Sequence, residues 1–113
     1  MSSTPSFDLI ARFVVSTADE EAAKGVLNHL REDLPELSFS PLREEPSLNN
    51  ALDCMATAVV SQEQKELILS KWNNDWDHEE ERNGTEAYWA YGFNTKMFDP
   101  LLYYAELEFR PRH

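Results

Sequence analysis

The chain is poor in cysteine and glycine, with one of the first and three of the second among 113 residues. A single cysteine, Cys54, excludes an internal disulfide framework and fits a reducing compartment. It lies inside the apolar run 52–60, where a thiol serves as a small buried hydrophobe. A nucleophilic thiol would want a histidine or a helix N-terminus nearby, and neither is close in sequence. The three glycines, Gly25, Gly84 and Gly92, are too dispersed to cradle a phosphate. Basic residues are also scarce. Ten Lys and Arg face 21 Asp and Glu, for a formal net charge of −11. Direct nucleic-acid binding, which uses Lys and Arg to displace counterions from phosphates, is disfavoured on that count.

No apolar run nears the roughly 20 residues that a membrane-spanning helix needs. The first residues carry neither a basic stretch nor a long apolar one, so the expectation is no signal peptide and a cytoplasmic location. Gly-x-Ser-x-Gly and His-Glu-x-x-His are absent. Of the histidines, His29 borders a helical apolar stripe, His78 sits in an acidic run and His113 is terminal. On this basis the sequence names no catalytic residue, no cofactor and no metal site, and reads as a protein that is not an enzyme.

What is present suffices for a core. Hydrophobic residues make up 42% of the chain and aromatics 12%, above the range of disordered chains. The length fits a single domain over 1–113, with 1–6 as a flexible N-terminus and 110–113 as a short basic tail.

Phe7, Leu9, Ala11, Phe13 and Val15 alternate, which predicts a half-buried strand, and Ile10 and Val14 on its other face place it centrally in a sheet. Thr17-Ala18-Asp19-Glu20 reads as a capping box. Ala23, Leu27, Leu30 and Leu34 then form one helical stripe, ended by Pro35. Gly25 within that helix costs about 1 kcal/mol relative to Ala, and is read as a close backbone approach. A short strand at 37–40 is placed at an edge by Pro41, and 44–50 is a loop. Alternation over 52–60 gives a third long strand.

Ser61-Gln62-Glu63-Gln64 is a second capping box. It opens a helix from about 62 to somewhere in 76–82, with Ile68, Trp72 and Trp76 on one side. After an Asn83-Gly84 turn come two strands. One carries Ala87, Trp89, Tyr91 and Phe93 on its core face, and the other Leu101, Tyr103, Ala105, Leu107 and Phe109. The expected fold is α+β: a ferredoxin-like β-α-β-β-α-β arrangement with an extra C-terminal strand paired to its hairpin partner. Both helices would cover one face of an antiparallel sheet.

Two local signals bear on function. The run Asp75-Trp76-Asp77-His78-Glu79-Glu80-Glu81 holds five carboxylates in seven residues, read either as an acidic recognition patch or as a solvated helix end beside a loop. Tyr88 and Tyr104 fall on the face opposite the expected core, where tyrosines suit a protein interface. The resulting expectation is a small acidic protein-binding module, an inhibitor of the immunity-protein, antitoxin or phage type. It would engage a basic partner, a nuclease-type toxin or nucleic-acid-binding complex, through Asp75, Trp76, Asp77, Glu79, Glu80, Glu81, Tyr88 and Tyr104. It would bind neither nucleic acid directly nor a membrane, and a homodimer is left open. The alternative is a dimeric small-molecule-binding or enzymatic α+β domain with a pocket between sheet and helices, lined by Trp72, Trp76, Trp89 and Tyr91.

Overall fold

A computed structural model describes residues 6–46, 50–73, 75–92 and 99–112. In chain order they form β1 (Ser6–Val15), α1 (Glu20–Asp33), β2 (Ser38–Phe39), β3 (Arg43–Glu44), β4 (Leu52–Ser61), α2 (Gln62–Trp72), β5 (Asp77–Glu80), β6 (Glu86–Tyr91) and β7 (Leu102–Pro111). The strands make one antiparallel sheet in the order β2-β4-β1-β7-β6-β5, with β3 also pairing β4. Ser6 thus opens β1, and Arg110 and Pro111 close β7.

Each central strand sends alternate side chains into a single core. Phe7, Leu9, Ala11, Phe13 and Val15 of β1 meet Leu52, Cys54, Ala56 and Val60 of β4 and Ala105, Leu107 and Phe109 of β7. Ala23, Val26, Leu27 and Leu30 of α1 and Ile68 and Trp72 of α2 close that core, so both helices cover the same face. Small residues on the inner side of β4 let the helices approach. Asp33 ties the helices together, accepting from the Trp72 indole at 2.8 Å and from Lys71 Nζ at 2.5 Å.

The α+β class and the antiparallel sheet match the sequence reading, while the strand order departs from it. The expected hairpin placed its first strand beside β1. Instead α2 leads to the far edge, and β5, β6 and β7 return inward until β7 pairs β1 along nearly its whole length. Hydrophobicity explains the order. The inner face of β7 carries Ala105, Leu107 and Phe109, each 0% exposed, whereas that of β6 carries Glu86, Tyr88 and Ala90, and all of β5 is exposed. The most apolar strand takes the most buried place.

Local signals also shifted. The cap of α1 is Asp19, whose carboxylate accepts from the Glu21 amide at 3.0 Å, while Thr17 Oγ1 accepts from the Asp19 amide. The Ser61 capping box forms as expected, with Ser61 Oγ accepting from the Gln64 amide and Gln64 Oε1 from the Ser61 amide. Helix α2 stops at Trp72, well before the expected end. Trp76 lies past it and donates its indole N–H to the Leu69 carbonyl at 2.8 Å, satisfying one of the carbonyls that a helix C-terminus leaves open.

The β5–β6 turn uses Gly84 at φ +88°, where a side chain would be strained. A Cβ on Gly92 would lie 2.6 Å from the Leu102 carbonyl oxygen, so there the close approach is real. At Gly25 it is not, since nothing lies within 4 Å of the place a Cβ would take. Gly25→Ala is therefore expected to stabilise the fold by about 0.5–1 kcal/mol through helix propensity and reduced chain entropy. Urea denaturation checks it, and a lowered midpoint would mean that the glycine has a packing role.

Candidate functional site

The helices leave the other face of the sheet uncovered, and strand register lays out its rows. One row runs Asp77–Trp89–Glu106–Arg12–Met55 across β5, β6, β7, β1 and β4. The next runs Glu79–Ala87–Glu108–Ile10–Thr57, and a third Tyr91–Tyr104–Val14–Asp53. Neighbouring strands lie roughly 5 Å apart and rows roughly 7 Å apart. Met55, Val59 and Tyr91, three of the large exposed hydrophobics, point to this side, at 40%, 50% and 37% exposure.

The acidic run is thus not a helix end. Asp75 is exposed in the connection before β5, and Asp77 through Glu80 form an edge strand with every side chain exposed. Charge on an edge strand also guards against edge-to-edge pairing. Alternation sends Asp77 and Glu79 to the open face and His78 and Glu80 to the helix side, while Glu81 enters the turn, its amide donating to the Thr85 carbonyl. Trp76 is half-buried against the core. Of the expected patch, only Asp77, Glu79 and Tyr104 reach the open face.

Tyr88 is on the opposite side from the one expected. It packs edge-on against Phe109 at 5.9 Å, stacks with His78 at 4.5 Å and donates its hydroxyl to Glu86 at 2.7 Å. Burial, then the Glu86 carboxylate, raises the Tyr88 pKa. The Lys65 ammonium pairs with Glu86 and lies over the Phe7 ring at 4.6 Å. Burial alone would raise the Glu86 pKa, but hydrogen bonds from Lys65 and Tyr88 hold it below its ordinary value.

Trp89 and Tyr91, expected in the core, face outward instead, and Phe93 lies outside the described residues. Strand β6 reads Glu86-Ala87-Tyr88-Trp89-Ala90-Tyr91 and is apolar at both parities, so hydrophobicity alone cannot choose its face. Pairing of Tyr88 with the fully buried Leu107 decides it. A register shift beside Val14 and Val15 likewise brings Leu102, rather than Leu101 or Tyr103, opposite Val15.

Tyr104 packs on Tyr91 at 4.7 Å and donates its hydroxyl to Glu106 at 3.1 Å. Burial, then the charge of Glu106, raises its pKa. Glu108 is paired with Arg110 at 2.8 Å and Asp8 with Arg112 at 2.7 Å. Asp77, Glu79 and Glu106 make no ion pair among the described residues.

One end of the face carries a cleft of about 740 Å³, lined by Arg12, Arg43, Glu44, Glu45 and Asp53 among others. Asp53, 1% exposed, accepts from Arg43 Nε at 2.8 Å and Arg12 Nη2 at 2.9 Å, and Arg12 also reaches Glu45 at 2.5 Å. This cluster was not visible in sequence, because its bonded pairs join residues 10 to 41 positions apart. The layer between sheet and helices is occupied by Trp72, Phe13 and Phe109, all at most 1% exposed, so the cleft lies on the other side from the pocket expected there. Cys54 is buried and its thiol is pushed up to about 11, chiefly by burial, as befits a core residue.

Among the described residues no helix is long and apolar enough to cross a membrane, and no group of three or more His, Cys, Asp or Glu is placed to hold a metal. No family model, curated protein or solved structure matches the chain.

Proposed function

We propose that the protein is a small acidic binding module whose open sheet face engages a basic protein. The carrying observation is that Trp89, Tyr91 and Tyr104 share a face with three carboxylates, Asp77, Glu79 and Glu106, that have no ion-pair partner among the described residues. Aromatic side chains supply the area that anchors interfaces, and a rim of one charge sign steers the partner in and selects its sign. In this reading the partner handles nucleic acid. A protein that binds phosphates presents a basic surface, and this chain, at −11 overall, occupies that surface with carboxylates in place of phosphates. The module then acts as an inhibitor, in the manner of an immunity protein, antitoxin or phage-encoded inhibitor, and catalyses nothing itself.

The test uses immobilised protein, a cell extract of the source organism and elution with rising salt. The expected result is one basic protein, released as salt rises, whose nucleic-acid binding is lost when the chain is added back. Neutralising the face (Asp77→Asn, Glu79→Gln and Glu106→Gln together) is expected to lower the association rate by at least tenfold at low salt. Unchanged association kinetics would remove these carboxylates from the interface. A captured protein that keeps its nucleic-acid binding would overturn the inhibitor reading.

The small-molecule alternative has one observation in its favour, the cleft at Arg12 and Arg43. Both arginines of its lining are engaged in ion pairs with Glu45 and Asp53, which makes it the weaker reading.

A further inference from the structure

Resting on the reading of the open face as a docking surface, we infer that the partner's central anchor is an arginine, seated at Trp89 between Asp77 and Glu106. Trp89 stands directly opposite Asp77 on one neighbouring strand and Glu106 on the other, so an indole has an acidic residue on each side, on strands spaced roughly 5 Å apart. Glu79 is one row further along the same edge. A guanidinium suits that combination better than an ammonium. It lies flat on an aromatic face, is weakly hydrated, and offers paired N–H donors to a carboxylate at its edge.

The chain shows the same chemistry on its covered face, where Lys65 lies over Phe7 at 4.6 Å and Arg31 over Phe39 at 5.0 Å. On the open face no cation takes the corresponding place among the described residues. Arg12, the row neighbour of Glu106, is turned away to Asp53 and Glu45, and Arg110 pairs with Glu108. Among the described residues none brings a cation to Trp89 and Glu106, and the proposal places the partner's there. Tyr91 and Tyr104, packed together in the adjacent row with their rings tilted at 43°, give the arginine's flanking residues an aromatic surface to rest on. The partner is thereby narrowed from a basic protein to one that projects an arginine from its nucleic-acid-binding surface.

The experiment titrates the intact protein with capped hexa-arginine and hexa-lysine at low salt, following the backbone amides and the Trp89 indole N–H by NMR. Hexa-arginine is expected to bind about two- to fivefold more tightly than hexa-lysine, the range that an exposed cation–π contact supplies, and to shift the Trp89 indole resonance. Trp89→Phe is expected to keep part of the preference. Trp89→Ala, with its fold checked by circular dichroism, is expected to abolish the preference while both peptides still bind. Equal affinities, with shifts confined to 77–80, would overturn the arginine anchor and leave the acidic docking face standing. If neither peptide binds, the docking reading fails along with it. The indole shift is read on the unsubstituted protein, so a variant that fails to fold does not remove the test.

Discussion

Trp72→Ala is expected to cost about 3–5 kcal/mol, the range for truncating a fully buried large aromatic side chain. Trp72 is 1% exposed and joins three elements at once. Its ring meets Phe13 of β1 edge-on at 6.0 Å, its backbone ends α2, and its indole N–H reaches Asp33 at the end of α1. Truncation therefore opens a cavity where sheet and both helices meet and removes a donor from a carboxylate whose side chain is 8% exposed. Small domains hold only about 5–15 kcal/mol in total, so the loss is a large fraction of the whole and corresponds to roughly 12–20 °C in Tm at about 4 °C per kcal/mol. Trp72→Phe separates the two contributions. It keeps most of the volume and loses the donor, at an expected cost of about 1–2 kcal/mol. Chemical denaturation followed by far-UV circular dichroism gives both values. Equal losses for the two variants would assign the effect to the hydrogen bond rather than to packing.

Elements set by one strong local pattern were legible in the sequence, and those set by competition between segments were not. The β1 alternation, the α1 stripe and the Ser61 box each rest on contacts within a few residues, and each formed where expected. The face of β6 depends on which strand it pairs with and in what register, because Tyr88 and Trp89 are both apolar enough to be buried. The order of the last strands depends on a comparison that local periodicity does not make, namely which of three segments gives β1 the most apolar partner. The acidic run was misplaced for a related reason. A helix reading extended through Trp76 because Trp72 and Trp76 are four apart, yet Trp76 satisfies the Leu69 carbonyl from outside the helix. The candidate face inherits these errors in part. Asp77, Glu79 and Tyr104 are found on it, Tyr88 is exchanged for Trp89 and Tyr91, and Glu106 enters from a strand legible mainly by its apolar face.

Asp53→Asn is expected to destabilise the protein by about 2–3 kcal/mol at neutral pH, the scale of a buried hydrogen bond to a charged group, and to flatten the acid limb of its stability curve. The Asp53 carboxylate accepts from two guanidiniums while 1% exposed. Burial alone would raise its pKa, but the hydrogen bonds from Arg43 and Arg12 prevail and hold it below the ordinary 3.8. A carboxyl with a depressed native pKa binds its proton more readily in the unfolded chain. Its contribution is thus present in full above the ordinary value and fades as pH falls below it. Wild type and Asp53→Asn should accordingly converge in stability on acidification, and stay well apart at neutral pH. Urea unfolding in a descending pH series measures this, and a gap that stays constant through the acid range would show that Asp53 carries no ionic contribution. The consequence reaches the open face. Asp53 stands beside Val14 in the row of Tyr91 and Tyr104, and through Arg43 and Arg12 it holds β3 and Glu45 over that end of the sheet. Removing its charge leaves Arg12 with Glu45 alone and frees Arg43, so the edge of the proposed docking surface loosens even where the core stays folded. Arg43→Gln, which removes only the more exposed of the two guanidiniums, should show the same convergence with a smaller gap.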